Sequence, residues 1–332
     1  EKQEPDFEQA AIAPASSEQK RIWLHTLKTP ESRAYSVPLI FRLEGEINCG
    51  RLEAAFRDLI AAHPVFCTGF HDSGEGLQQI LKPQSQCRFE RRTEAATSQA
   101  TFQDHCESFF AQRFDLTEPD LCRLCWLPAQ QGGGWLLIHA HHIILDGWSL
   151  NLMLQELSER YNGKWVEPEA GTSPLPDMTG FARHQAQRHA EEEYRETCKA
   201  LATYIEGKVD PEPALAPLRS ATGLRAKVLR QPLSAKSTAK VQAFAARFGL
   251  TPFQVFASIC SLAYSRISGQ RAFLMATPTS NREDHRFAYT IGMMANTLLL
   301  PVDLNSKAGL GETIQQLSQD WKPCLEHPQA AL

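Results

Sequence analysis

No stretch of this sequence approaches the roughly 20 consecutive apolar residues of a membrane-spanning helix. The first ten residues, EKQEPDFEQA, are polar and acidic and carry none of the basic-then-apolar pattern of a secretory signal. Surplus positive charge is missing too. Lys and Arg number 34 against 38 Asp and Glu, a formal net charge of −4, which argues against the basic face needed to hold nucleic acid. Cysteine is sparse: nine in 332 residues, an odd count that cannot build a disulfide scaffold and leaves at least one free thiol. The only close pair, Cys122 and Cys125 in DLCRLCWLP, has no second CxxC to complete a zinc site. That segment reads as extended, and an i, i+3 spacing on a strand sends the two thiols to opposite faces. They are expected to be buried and inert. Internal repeats and low-complexity tracts are also missing. These absences together point to a cytoplasmic protein with no nucleic-acid or membrane partner and no metal.

What is present is a globular balance, 42% hydrophobic and 22% charged, in a chain long enough for about two domains. Serine caps precede a helical stripe over 16–27, and RAYSVPLIFRLEG (33–45) reads as a strand. Asn48 caps an amphipathic helix with Leu52, Phe56, Leu59 and Ile60 on one face. VFCTGFH is expected as a short strand and 102–114 as a helix. LCRLCWLP and WLLIHAHHIIL form a hairpin across the glycine-rich turn AQQGGG. Ser149 is expected to cap the helix that follows. VEPEAGTSPLPDM (166–178) has a linker's composition. Beyond it come one long polar helix over about 179–206, helices opened by Ser234 and Thr251, strands AFLMATP and NTLLLPVDL, and a last helix GETIQQLSQDW. The order is a mixed α/β one repeated in two halves: residues 1–170 and 171–332.

The chemistry concentrates in HAHHIILDGWS (139–149), three histidines within four positions before an Asp-Gly corner. In a helix His142 and Asp146 would sit one turn apart, as metal-binding pairs do. The upstream WLLI and the β-branched Ile143 and Ile144 favour a strand. There His139 and His141 share one face and His142 points to the other, so the three cannot meet on one ion. His139 reads as an ordinary buried histidine. His142, at a strand end before a turn and a helix, is placed where proteins present a base.

HHIILDG (141–147) resembles the HHxxxDG motif of the condensation domains of nonribosomal peptide synthetases. Other stretches fall in that family's order: PASSEQKRIW (14–23), YSVP (35–38), LEGEI (43–47), AAHPVFCTGF (61–70), GLTPFQVFASICSLAYSRISGQ (249–270), ATPTSNR (276–282) and IGMMANTLLLPVDL (291–304). The resemblance runs from residue 14 to the end. There are departures. Ala62, Pro64 and Cys67 stand where the family's RHExLRTxF segment has Arg, Glu and Arg, while His63, Thr68 and Phe70 match. Gly180 and His184 replace an Asp and a Trp. Family members usually continue with more of the second lobe, so the resemblance implies that this one is represented in part.

The resemblance implies two lobes like chloramphenicol acetyltransferase, mixed sheets with flanking helices, forming a V around a central tunnel. It also implies amide bond formation between substrates carried on the phosphopantetheine arms of donor and acceptor peptidyl carrier proteins, beside adenylation or other synthetase domains. No cofactor of its own is expected. His142 is the implied catalytic residue. A free α-amine titrates at about 7.7–8.0, so deprotonating it in advance is worth only about 1 kcal/mol. Orientation and handling of the proton and charge of the tetrahedral intermediate matter more. His141, Asp146, Gly147 and Arg282 are implied structural residues of the site, with Arg282 the expected ion-pair partner of Asp146. Trp148, Ser149 and Asn296 are candidates to line the tunnel. A coenzyme-A-dependent acyltransferase shares only the shorter HxxxD core, and a non-catalytic docking relative would tend to lose the second histidine or the glycine. Both are intact here.

Overall fold

The computed structural model describes residues 11–82, 84–96, 98–130, 132–166, 177–209, 230–304 and 308–330. They divide into two compact units. The first takes the chain up to Arg188 together with Arg282–Ala295, and the second takes His189–Asn281 with Asn296 onward. A single boundary at 170/171 therefore differs from the observed division, because a fourteen-residue excursion late in the chain belongs to the first unit. The linker expected at 166–178 lies, over 167–176, outside the described residues.

The hairpin partners β6 (Cys122–Pro128) and β7 (Gly134–His141) form the centre of a four-stranded sheet with β2 (Ser36–Leu43) and β5 (Arg88–Arg91) at its edges, in the order β2-β7-β6-β5. β5 runs parallel to β6 and the other pairs are antiparallel. Both faces of β7 are covered, which is why it reads as a nearly unbroken apolar run. Leu136, Ile138 and Ala140 enter the main core with helices α2 (Cys49–Ala62) and α4 (Gly147–Asn162). Leu137 points the other way, into a smaller cluster with Cys106 and Phe109 of α3 (Gln99–Phe110). The two cysteines of β6 divide likewise, Cys122 into the main core and Cys125 into the smaller cluster. Burial pushes both thiols up, Cys125 to about 11. Each fully buried Leu or Phe contributes about 1.5–3 kcal/mol of burial free energy. The covered faces thus hold the strand end where the histidines sit.

Three short strands, β1 (Ala11–Pro14), β4 (Leu77–Leu81) and β3 (Thr68–Asp72), make a second antiparallel sheet in the order β1-β4-β3. The sequence showed only part of this sheet. The residues VFC before β3 form a 3-10 turn, Pro64–Cys67, because Pro64 fixes its first backbone angle. α1 (Ser17–Lys28) begins with a capping box from Ser16 to Gln19, and Asn48 caps α2 by accepting the Arg51 N–H at 3.0 Å.

The expected long polar helix is two helices, α5 (Met178–Ala190) and α6 (Glu192–Lys208), with Glu191 extended between them. Glu192 and Glu193 fall in the first turn of α6, where a helix N-terminus favours negative charge. The second unit packs α6, α8 (Pro252–Ser268, after α7, Ala235–Phe248) and α9 (Leu310–Glu326) with the antiparallel pair β8 (Ala272–Thr279) and β9 (Asn296–Asp303). Its core holds Leu201, Phe273, Leu300, Val302 and Leu317 around Trp321, whose indole N–H donates to the Pro301 carbonyl at 2.8 Å. No single helix among the described residues is long and apolar enough to cross a membrane.

Candidate active site

β7 delivers the histidines at its C-terminal end. His139 and His141 take the α3 side with Leu137. The Nε2 of His139 lies 2.7 Å from the Ser36 hydroxyl, and its ring is surrounded by Phe109, Phe110 and Phe114 at centroid distances of 6.0, 5.6 and 4.5 Å. Burial, followed by the positive charge of Arg123 and Arg33, pushes its pKa down to about 4. His141 Nδ1 accepts the Ile143 N–H at 3.3 Å, and burial followed by the neighbouring His142 and His139 pushes its pKa down to about 3. Both rings are therefore neutral at neutral pH. With Nδ1 of His141 accepting, its single ring proton sits on Nε2.

His142 opens the turn directly after β7. Its backbone N–H donates to the Tyr35 carbonyl at 2.8 Å, and its half-buried ring meets the Tyr35 ring edge-on at 6.3 Å. Tyr35 packs in turn against His25 of α1 at 5.0 Å. The Nδ1 of His142 is buried and meets no hydrogen-bond partner among the described residues. Cross-strand neighbours thus mark two faces, Ser36 with His139 and Tyr35 with His142. Among the described residues no group of three His, Cys, Asp or Glu is placed to hold a metal.

The turn ends at Asp146, the N-cap of α4. One carboxylate oxygen accepts the Ser149 N–H at 2.8 Å. The other accepts from the Arg282 guanidinium at 2.8 Å and from the backbone N–H groups of Met294 and Ala295, each at 3.1 Å. Arg282 also donates to the Ser149 hydroxyl at 2.7 Å and the Thr290 carbonyl at 3.0 Å. That hydroxyl donates to the Gly292 carbonyl at 2.8 Å and accepts the Gly292 N–H at 2.9 Å. The Arg282 and Asp146 side chains are 2% and 1% exposed. A buried charge pair holds where most of its remaining hydrogen-bonding capacity is met, and here the Ser149 hydroxyl and backbone groups on both sides supply much of it. The network ties the start of α4 to the 282–295 segment, four residues from His142.

The condensation-domain profile matches residues 9–331, nearly the whole chain. The chain belongs to the condensation-domain family. It is a condensation domain of the nonribosomal peptide synthetase kind. It is 28% identical over 323 residues to malpinin synthetase of Mortierella alpina and 27% identical over 320 residues to the phosphinothricin tripeptide synthetase PhsC of Streptomyces viridochromogenes. These matches cover 95% and 92% of this chain, but only 4% and 29% of those longer relatives. The solved condensation domain of the monacolin K polyketide synthase MokA superposes with a TM-score of 0.81 at 18% identity, covering 96% of this chain and 74% of that one. The α/β architecture of mixed sheets and flanking helices is therefore the condensation-domain fold.

Within this condensation domain His142, His141, Asp146, Gly147 and Arg282 are gathered at one strand end and the network behind it. Two residues expected to line a tunnel do not offer a surface. Ser149 is 0% exposed and is neither the helix cap, which is Asp146, nor a wall, since Arg282 and Gly292 saturate its hydroxyl. Asn296 is 1% exposed, and its side-chain amide donates to the Pro328 and Ala330 carbonyls at 2.9 and 3.3 Å. Trp148 is 49% exposed, with its indole N–H on the Ala288 carbonyl at 2.9 Å. Gly147 is the first residue of α4, and a Cβ there would meet no atom within 4 Å. No neighbouring group among the described residues requires it to be glycine.

Sequence reading missed Tyr35 and the Met294 and Ala295 amides. Alternation along YSVP placed opposite the histidine strand was the available signal for Tyr35. The amides left none, because any residue but proline supplies an N–H. It also missed the partner of the matching His63, whose Nε2 lies 2.8 Å from the buried Glu156 carboxylate, itself held by Arg160 at 2.8 Å. Burial alone would raise the Glu156 pKa, but His63 and Arg160 bring it below the ordinary carboxylate value. His184, in the family's tryptophan position, packs on Phe287 at 5.6 Å and lies 3.7 Å from Asp284.

Proposed function

We propose that this condensation domain forms an amide bond. The amine of an acceptor aminoacyl thioester attacks the carbonyl carbon of a donor acyl or peptidyl thioester. The C–N bond forms, the C–S bond breaks, and the amine proton ends on the departing thiol. Both substrates ride on phosphopantetheine arms of peptidyl carrier proteins, with adenylation or other synthetase domains as neighbours. His142 accepts the proton as the C–N bond forms and positions the amine. His141 fixes the turn from behind. Asp146 and Arg282 hold the corner without touching substrate, and Gly147 and Trp148 lie beside the passing chain. The observation that carries this reading is the half-buried His142 ring, with an unbonded Nδ1, on a turn anchored by the Asp146–Arg282 network. The test is to mix the protein with loaded donor and acceptor carriers and weigh the product. The reading predicts a lengthened chain on the acceptor carrier. Equal turnover of a free acyl-coenzyme A donor would show a coenzyme-A-dependent acyltransferase instead.

A further inference from the structure

Behind the histidine strand, on the α3 side, lies a cavity that the proposed chemistry does not use. The loop after α1 supplies its mouth through Glu31 and Arg33, the end of α3 supplies Phe110, Arg113 and Phe114, and His141 lies at its floor. Glu31 and Arg113 neutralise each other in a bidentate pair. Arg33 is exposed, and its guanidinium makes no ion pair or hydrogen bond among the described residues. The mouth therefore carries one uncompensated positive charge. At the floor, His141 uses Nδ1 to accept the Ile143 N–H, so its Nε2–H remains a donor, and no acceptor meets it among the described residues. Half-buried Phe110 and Phe114 line the same cavity as apolar walls.

We propose that this cavity binds a small monocarboxylate with a short apolar body, its charge on Arg33 and the His141 Nε2–H and its body against Phe110 and Phe114. One positive charge answers one negative one. Two donors lining one cavity can serve a carboxylate's two oxygens, and the aromatic walls favour an acid with a hydrocarbon portion over an inorganic anion. The site is separate from the face that carries His142, so it stands whether or not the amide-forming reading holds. It is nevertheless linked to that face, because the Ile143 N–H held by His141 lies in the turn that begins at His142.

The probes are benzoate, inorganic phosphate and benzyl alcohol, each titrated into the protein with labelled histidine and backbone amides and followed by NMR. Benzoate should saturate, shifting the His141 ring signals and the Ile143 amide while the exposed His285 stays still. Arg33→Ala, a change at an exposed residue outside the catalytic corner, should weaken benzoate binding about tenfold with the fold intact. No saturable shift at His141, or equal affinity in Arg33→Ala, overturns the proposal. So does phosphate or benzyl alcohol binding as tightly as benzoate, since the first would show a bare charge patch and the second a bare apolar crevice.

Discussion

Asp146 occupies the position where a carboxylate four residues after a histidine could be taken for a catalytic partner. Its oxygens face the Ser149, Met294 and Ala295 amides and the Arg282 guanidinium, and only 2% of the residue is exposed. Removing either charge of such a pair leaves the other buried and uncompensated, at a cost of about 3–5 kcal/mol. Asp146→Ala and Arg282→Ala should each lower the denaturation midpoint and, by letting the turn move, the rate. The double variant should be less damaged than the two losses added together, by about 1–3 kcal/mol. Additive losses in that cycle would mean that the two charges do not depend on one another. The pair was legible in sequence only through the family resemblance, which places an arginine at the TSNR position as the partner of this aspartate. Ser149 was misread. A serine beside a helix start serves equally as cap or buried donor, and only the position of Arg282 decides.

At the scale of elements, two glycines make opposite predictions. Gly147 starts α4 with open space where a side chain would project, so Gly147→Ala should leave the denaturation midpoint unchanged or slightly raised. Gly147→Val should reduce product formation more than stability, because the side chain fills the space assigned to substrate. Retained activity in Gly147→Val would place the substrate elsewhere. At Gly292 a Cβ would lie 2.4 Å from the Met178 sulfur and 3.1 Å from its Cβ, inside the core. Gly292→Ala should therefore cost about 1–3 kcal/mol through overpacking, read as a lower midpoint in denaturant.

The strand of histidines adds a pH dependence. In the unfolded chain a histidine takes up a proton near pH 6.5. In the folded chain His139 resists until about 4 and His141 until about 3. Between those values the unfolded chain binds more protons, so the stabilisation is complete above about pH 6.5 and is lost as pH falls, at about 1.4 kcal/mol per pH unit for each group. Denaturation midpoints measured from pH 7 down to 4 should fall steadily, and more shallowly in His139→Leu. An identical slope in that variant would contradict the assignment. Among elements, the helices with side-chain caps and apolar stripes were readable from sequence. The short strands β1, β4 and β5 were not, since four or five residues carry too little alternation to stand out, and their pairing is set by partners distant in sequence. The break at Glu191 was hidden because the polar sequence around it suits one helix as well as two.

For the whole molecule, the family was legible because motifs spread over nearly the entire chain fall in one order, which single motifs do not guarantee. The division into units was less so. Residues 282–295 belong to the first unit through Arg282 and backbone groups, and composition gives no sign that a late segment is shared in this way. Since His139 and His141 share one face of β7 and His142 lies in the turn beyond it, a chelator should leave both fold and product formation unchanged. Stoichiometric zinc whose removal abolishes activity would overturn that. The central claim is that His142, in the turn just after β7, rather than the network behind it, performs the chemistry. The most direct measurement is the rate of product formation by His142→Ala with saturating loaded carriers, alongside its denaturation midpoint. The His142 Nδ1 makes no hydrogen bond among the described residues, so stability should stay within about 1 kcal/mol of the parent, while the rate falls at least about a hundredfold. A parental rate in a folded His142→Ala protein would contradict the account.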